Sequence, residues 1–185
     1  MDRSEEDMIR AAQQGDRDAF AWLYERYVQQ IYRYVLNRIG NAADAEDITS
    51  EVFIRASKGL SSYKITGVPF IVWLVRIARN QVLNKFKKQS RHKESQLEIE
   101  IAALDDPEQT AMQQATAEQL FQAMSKLTEA QQEVLRLRFG SELSVAETAQ
   151  AMERKEGAVK FLQHDALRAL RQVLVPQMEE EHYEQ

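Results

Sequence analysis

Helix-breaking residues are scarce in this chain, and their scarcity constrains the fold more than any other feature of the sequence. The 185 residues include six glycines and three prolines, and no segment alternates apolar and polar side chains as a half-buried strand requires. Between the breakers, apolar residues recur with helical spacing. The sequence therefore predicts an all-α fold.

The clearest periodic segment covers 17–39 and predicts one long helix with a broad apolar stripe. The stripe consists of Phe20, Leu23, Tyr24, Tyr27, Ile31, Tyr34 and Val35. Further helices are expected over 42–58, 69–88 and 107–125, with three shorter ones after Thr128.

Two of the shorter helices have the pattern of a helix-turn-helix. Ser144-Val145-Ala146-Glu147 reads as a capping box, which predicts a helix that ends near Met152. After a break of three residues, a second helix is expected from Glu156 to Leu174. Two short helices joined by a tight turn are a common DNA-binding arrangement.

Charged residues are distributed in blocks. The net charge of −5 would argue against nucleic-acid binding if it were evenly spread. However, the segment Arg76–Lys93 contains seven basic residues and no acid, whereas Glu94–Glu108 contains six acids and no base. The last eight residues, Met178–Gln185, add four more acids. Such asymmetry is typical of functional surfaces, linkers and tails.

The charge blocks divide the chain into parts. Asp106 followed by Pro107 is a helix-start signal, so the acidic block before it reads as a linker. We predict two small helical domains joined by an acidic linker, with an acidic tail. The predicted limits are 1–93, 94–106, 107–176 and 177–185.

Several function classes lack the residues that they need. The chain has no cysteine, and its longest apolar run, Phe70–Val75, is far shorter than the ~20 residues that span a bilayer. The acidic start of the chain is unlike a signal peptide. We therefore expect a soluble, cytoplasmic protein without direct membrane insertion.

Enzymatic chemistry also lacks candidates. There is no glycine-rich phosphate loop and no His-Glu-x-x-His pattern, and His92, His164 and His182 stand in unrelated contexts. We predict no catalytic residue, no metal site, no cofactor and no small-molecule substrate, so the chain is not expected to be an enzyme.

The helix at 69–93 has two contrasting faces. Its apolar face consists of Ile71, Leu74, Val75, Ala78 and Val82. The opposite face carries only cations, amides and an indole: Trp73, Arg76, Asn80, Asn84, Lys87 and Arg91. Cations bind phosphates, amides can read base edges and a ring can stack on an exposed base. The alternative is a solvated cationic face with Trp73 packed against a neighbouring helix.

The loop ahead of this helix, Gly59–Gly67, is small, polar and flanked by glycines. Such a loop can form a pocket for a base unstacked from DNA, but it can equally be a plain helix connection.

Acidic side chains dominate the first half of the helix at 42–58: Asp44, Glu46, Asp47 and Glu51. Carboxylates near a helix N-terminus complement the macrodipole, which is one sufficient explanation. The macrodipole does not require four acids in this half of the helix. The alternative explanation is that they form a docking face for a basic protein partner.

The second helix of the helix-turn-helix also has a cationic side, which carries Gly157, Lys160, Phe161, His164, Arg168 and Arg171. A thymine methyl would give the apolar ring of Phe161 a contact. The alternative is an ordinary amphipathic helix with one exposed aromatic residue.

These features occur in an order that resembles one protein family. The motifs are Asp18-Ala19-Phe20 with Leu23-Tyr24 and Tyr27, the acidic segment Asp44–Phe53, the segment Trp73–Asn80, and Leu127–Leu135 followed by the helix-turn-helix. Together they are similar to those of the extracytoplasmic-function (group IV) sigma factors of bacterial RNA polymerase. The resemblance implies a protein that binds core polymerase and directs promoter recognition, −10 melting and transcription initiation.

The resemblance also implies sites and partners. Residues 1–93 correspond to sigma region 2 and residues 107–176 to region 4, with the β′ clamp helices, the β flap, promoter DNA and an anti-sigma factor as partners. The implied polymerase contacts are Asp44, Glu46, Asp47, Glu51 and Phe53. The implied −10 contacts are Tyr63, Lys64, Trp73, Arg76, Arg79, Asn80, Asn84, Lys87, Lys88 and Arg91. The implied −35 contacts are Arg154, Lys155, Gly157, Lys160, Phe161, His164, Arg168 and Arg171.

Two features depart from the family pattern. The turn Glu153-Arg154-Lys155 lacks the small or capping residues usual there, and Asp165 places an acid where a base is common. The alternative function is a stand-alone helix-turn-helix regulator of transcription, which would bind duplex DNA without polymerase.

Overall fold

Capping residues mark the helix ends in the first part of the molecule. The computed structural model describes residues 4–93 and 119–181, with side chains described to 89 and to 174 in these two stretches. In the first stretch, α1 covers Glu5–Gln13, α2 Arg17–Ile39, α3 Ala42–Gly59 and α4 Phe70–Lys93. The side chains of Asp16 and Asn41 cap α2 and α3, and Gly40, at φ 76°, ends α2 in the left-handed conformation.

The predicted helices of this stretch are confirmed, and one helix was missed. No helix is predicted before residue 17, yet α1 begins at a reciprocal capping box. The Ser4 hydroxyl accepts a hydrogen bond from the Asp7 backbone amide, and the Asp7 carboxylate accepts one from the Ser4 amide. The buried side chains of Met8 and Ile9 then attach α1 to the rest of the bundle.

The core of this part is formed by the apolar faces of α2, α3 and α4. The predicted inner face of α4, from Ile71 to Val82, is confirmed, because each of its five side chains is at most 3% exposed. On α2, Leu23, Ile31, Tyr34 and Val35 are fully buried. Full burial of one such aliphatic side chain contributes about 1.5–3 kcal/mol, so the orientation of α4 is strongly determined.

The second described stretch is also helical. Residues 119–125 form the described part of α5, which is followed by α6 (Glu129–Leu135), a π-helical turn (Arg136–Gly140), α7 (Val145–Ala151) and α8 (Glu156–Glu181). The predicted α8 was too short, because the helix continues past Pro176. The all-α prediction is confirmed for the described part of the chain, which has helices and no strand.

The molecule divides into two compact units between residues 102 and 103. In the second unit, Leu127, Val134, Leu135, Ala149, Val159 and Ala166 form a buried cluster. The predicted linker at 94–106, the first residues of the predicted helix at 107–125 and the end of the tail at 182–185 lie outside the described residues.

The turn of the helix-turn-helix contains a strained residue. Ser144 caps α7 as predicted, with the Glu147 carboxylate completing the capping box. Glu153 then adopts φ 55°, and the Arg154 amide donates to the Ala149 carbonyl over 2.8 Å. A left-handed conformation costs a residue with a Cβ roughly 1–2 kcal/mol. The departure from the family pattern therefore has a local energetic cost.

Replacing Glu153 by glycine should stabilise the second unit by about 1 kcal/mol relative to replacing it by alanine, because only glycine adopts this φ without strain. Hydrogen exchange of the α7 and α8 amides measures the difference. Gln172, an exposed residue within α8, is the control. There the glycine variant should be less stable than the alanine variant, because glycine destabilises a helix interior. Lower protection in Glu153→Gly than in Glu153→Ala would contradict the strain.

Candidate nucleic-acid interface

A pocket lies where the loop after α3 meets the first turns of α4. A short 3-10 turn, Leu60–Ser62, follows α3, and an irregular segment with a bend at residues 66–68 then leads to α4. The pocket has a volume of about 270 Å³. Its lining consists of Gly59, Ser62, Tyr63, Lys64, Thr66, Val68, Trp73 and Arg76. Four residues predicted as −10 contacts, Tyr63, Lys64, Trp73 and Arg76, are thus brought together.

Aromatic rings form one wall of the pocket. The Trp73 ring lies 4.7 Å from that of Tyr63 and 5.3 Å from that of Phe70, centroid to centroid. Tyr63 and Phe70 meet edge to face at 5.4 Å. Trp73 is half-buried: it packs against a ring of the loop and a ring of its own helix, and it also presents surface to the pocket. Aromatic packing of this kind holds the indole in one orientation.

Hydrogen bonds within the loop and from α1 hold the pocket in shape. The Ser62 hydroxyl donates to the Gly59 carbonyl (2.8 Å), and the Tyr63 hydroxyl donates to the Val68 carbonyl (3.2 Å). The side-chain amide of Gln13 donates to the carbonyls of Leu60 (3.0 Å) and Tyr63 (2.7 Å). Sequence reasoning missed Gln13, because the contact joins residues 47 and 50 positions apart.

A second α1 residue, Glu5, caps the start of α4. Its carboxylate accepts hydrogen bonds from the Phe70 backbone amide (3.3 Å) and from the Tyr27 hydroxyl. Burial, and then the bond to Glu5, raise the pKa of Tyr27 far above its ordinary value. Burial also raises the pKa of Tyr63, and the Glu5 charge adds to this effect. Both phenols therefore stay protonated to more alkaline pH than an ordinary tyrosine.

The outer face of α4 extends the cationic surface that Arg76 begins at the pocket. Three other side chains of the predicted outer face, Asn80, Asn84 and Lys87, are exposed, and so are Arg79 and Lys88, which the resemblance implies as −10 contacts. Arg91 lies on the same helix, but its side chain is outside the described ones. Lys85 points elsewhere and forms an ion pair with Asp44 of α3. The structure thus joins the predicted pocket and the predicted cationic face into one surface.

The acidic residues of α3 differ in their availability. Glu46 and Asp47 are exposed, whereas Asp44 is partly buried against Lys85 and Glu51 pairs with Arg55 at 2.6 Å. Glu46 and Asp47 are therefore the α3 carboxylates most open to a partner.

Phe53 requires a correction. Its side chain is 4% exposed and meets Tyr24 edge to face with the ring centroids 4.8 Å apart, so it is a core residue and offers no surface for polymerase. The acidic motif surrounding it led to the wrong assignment, because the motif spans both faces of α3. Two apolar side chains near Phe53 are exposed to solvent instead: its ring partner Tyr24 on α2 (42%) and its neighbour Ile54 on α3 (47%).

Phe53→Ala should lower the free energy of unfolding of the first unit by about 3–5 kcal/mol, because it leaves a cavity in the core. Its exposed neighbour provides the matched control, since Ile54→Ala should cost under about 1 kcal/mol. Urea unfolding followed by tryptophan fluorescence measures both, because Trp22 and Trp73 lie in this unit. Equal effects would contradict the core assignment.

The second unit presents a cationic helix face of its own. Lys160, Phe161, His164, Arg168 and Arg171 are exposed on α8, as are Gly157 and the turn residues Arg154 and Lys155. Phe161 is 73% exposed, the highest value among the exposed large apolar side chains of the described residues. On the opposite side, Val159 and Ala166 are fully buried. Amphipathicity therefore explains the inner face of α8 but not Phe161.

Asp165 is engaged by neighbouring side chains. Its carboxylate accepts hydrogen bonds from Gln131 (2.9 Å) and from Arg168 (2.9 Å). The acid that departs from the family pattern therefore connects α6 to α8 and orients one of the predicted DNA-contacting arginines.

The described residues contain neither a membrane-spanning helix nor a metal-binding cluster. No helix in 4–93 or 119–181 combines the length and apolar character needed to cross a membrane. Within the same ranges, no group of three or more acidic or histidine side chains is arranged to hold a metal ion.

The comparisons with known proteins agree with this arrangement. Residues 23–92 match the model of Sigma-70 region 2, and residues 123–172 match that of Sigma-70 region 4. The ECF RNA polymerase sigma factor SigW of Bacillus subtilis is 30% identical over 90% of this chain and 94% of its own length. The chain belongs to the ECF sigma factors.

Other relatives add detail to the family assignment. The ECF sigma factor BldN of Streptomyces coelicolor is 40% identical over 91% of this chain, which spans 65% of BldN. The sigma factor RpoE of Bartonella quintana, crystallised with the anti-sigma factor NepR, has the same fold (TM-score 0.66, 19% identity, 84% of this chain and 96% of that one). The alternative of a stand-alone regulator is not supported, because a Sigma-70 region 2 accounts for most of the first unit.

Proposed function

We propose that this ECF sigma factor binds core RNA polymerase and directs it to promoters, where residues 1–93 engage and melt the −10 element and residues 107–176 read the −35 element. Residues 94–106 would connect these two functional parts, and residues 177–185 would form an acidic extension. The observation that carries the proposal is the pocket with an aromatic wall and a cationic rim that continues onto the outer face of α4.

The pocket suits an unstacked nucleobase. Trp73 and Tyr63 provide aromatic surface, while Lys64, Ser62 and Thr66 provide polar groups on the rim. Stacking on an aromatic side chain contributes about 1–3 kcal/mol per base, which offsets much of the cost of unstacking the base from DNA. The phosphates of the opened strand would then be held by the cations of α4: Arg76, Arg79, Lys87, Lys88 and Arg91. The amides of Asn80 and Asn84 would form hydrogen bonds with base edges.

In the second part, α8 would enter the major groove at −35. Lys160, Arg168 and Arg171 supply phosphate or guanine contacts, and His164 supplies a further donor. The exposed ring of Phe161 fits a thymine methyl. Arg154, Lys155 and Gly157, at the start of α8, would approach the DNA backbone.

Polymerase docking would use the open acids of α3. Glu46 and Asp47, with Glu51 and Asp44 beside them, would bind the basic β′ clamp helices, and the second part would bind the β flap. A relative of this fold was crystallised with an anti-sigma factor, which supports a similar inhibitory partner here. The chain would act in the cytoplasm with polymerase, with no catalytic chemistry of its own.

Transcription with purified core enzyme tests the function. Core plus this chain should give discrete run-off products from a genomic promoter library, and their mapped start sites should share −10 and −35 sequences. Core alone provides the control and should give none of these products. No promoter-specific transcript from core plus this chain would overturn the proposal.

Charge reversal on α3 tests the docking surface. Asp47→Lys combined with Glu51→Lys should weaken binding to core polymerase by about tenfold or more, because carboxylates that meet basic side chains become repulsive. Glu25→Lys on α2, at an exposed position, makes the same kind of charge change outside the acidic segment. Equal affinity of the α3 variant and the wild type in a titration with core would contradict the assignment.

Removal of the indole tests the pocket. Trp73→Ala should reduce promoter opening about tenfold or more while leaving closed-complex affinity within about threefold, because stacking is made only with the unstacked base. Trp73→Phe should retain part of the opening. Permanganate reactivity of unpaired thymines reports opening, and footprinting at low temperature reports the closed complex. An equal loss in both assays would contradict a melting role.

A further inference from the structure

Two side chains of α1 hold the two ends of the pocket loop. At its start, Gln13 donates to the carbonyls of Leu60 and Tyr63, and at its end Glu5 accepts from the Phe70 amide. Residues before 23 precede the segment that matches Sigma-70 region 2. The loop is thus held by a helix that the matched family segment does not include.

The Gln13 contact is well suited to fix the loop conformation. A side-chain amide carries two N–H donors, so one half-buried residue satisfies two backbone carbonyls of the same turn. The Tyr63 amide in turn donates to the Leu60 carbonyl at 3.0 Å, which closes the 3-10 turn. Because the Tyr63 backbone is held from both sides, its ring remains packed 4.7 Å from that of Trp73.

We propose that Gln13 is a positioning residue for promoter opening: it holds Tyr63 in the geometry that receives the unstacked base, and it does not contact the DNA. The proposal rests on the function proposed above. Without the two hydrogen bonds, the loop would have to become ordered when the base enters. That ordering cost would reduce affinity for the opened strand but would leave polymerase docking intact.

Charge-matched variants at adjacent residues test the proposal. Gln13→Glu keeps the shape but loses both donors, whereas Gln13→Lys keeps donors of similar reach. The exposed neighbour Gln14 supplies the controls Gln14→Glu and Gln14→Lys, which make the same charge changes without touching the loop. Gln13→Ala removes the donors without adding a carboxylate and serves if Gln13→Glu fails to fold.

The measurement is the affinity of each reconstituted holoenzyme for a single-stranded oligonucleotide that carries the −10 non-template strand of a promoter mapped by run-off transcription. Gln13→Glu and Gln13→Ala should bind it about tenfold more weakly, as expected for two lost hydrogen bonds. Gln13→Lys should remain within about threefold of wild type, and both Gln14 variants within about twofold. Core affinity, measured by titration, should not change in any of them.

The outcomes separate the two proposals. Normal oligonucleotide binding by Gln13→Glu or Gln13→Ala would overturn the positioning role and leave the proposed function intact. A parallel loss of core affinity in these variants would make Gln13 a purely structural residue and would also overturn the role. The proposed function itself fails earlier, if no promoter can be mapped by run-off transcription, and failure of the wild-type holoenzyme to bind the oligonucleotide would overturn the −10 strand contact proposed for residues 1–93.

Discussion

Burial of one face of α4 determines the arrangement of the first unit. Its apolar side chains, from Ile71 to Val82, fit into the core between α2 and α3, and any rotation of the helix would expose them. With this face fixed inward, Arg76, Asn80 and Asn84 must face solvent. The same constraint places Trp73 at the boundary between core and surface, where it packs on Phe70 and lines the pocket. Hydrophobic packing thus positions the polar surface that we assign to DNA.

The distribution of charge explains how a net-acidic chain can serve as a DNA-binding subunit. The total of −5 would weaken attraction to DNA, but exposed cations share one face of α4 in the first unit and one face of α8 in the second, and the exposed acids Glu46 and Asp47 belong to α3. If polymerase covers the α3 acids, as we propose, their repulsion of DNA is removed when the holoenzyme forms. Promoter affinity would then depend on assembly, which suits a subunit that acts only with its enzyme.

Local patterns predicted most of the fold. The limits of α2 follow from the cap at Asp16 and the break at Gly40, and both faces of α4 follow from helical periodicity. Long-range contacts were not predictable in the same way. The bonds from Gln13 to the loop join residues that no local pattern connects, and Phe53 belongs to an acidic motif although its ring faces inward. Glu153 shows a third case, since a turn of unfavourable composition still forms when the helices on either side are well packed.

Photo-crosslinking from the pocket tests the central claim, that this pocket receives an unstacked promoter base. Benzoylphenylalanine would replace Thr66, an exposed residue of the pocket rim, and Glu25 on α2 would carry the same probe as a control. The account predicts crosslinks from residue 66 to one or two neighbouring bases of the −10 non-template strand, formed in the open complex and absent from the closed complex and from residue 25. Crosslinks of equal yield in both complexes, or none to the −10 strand, would contradict it.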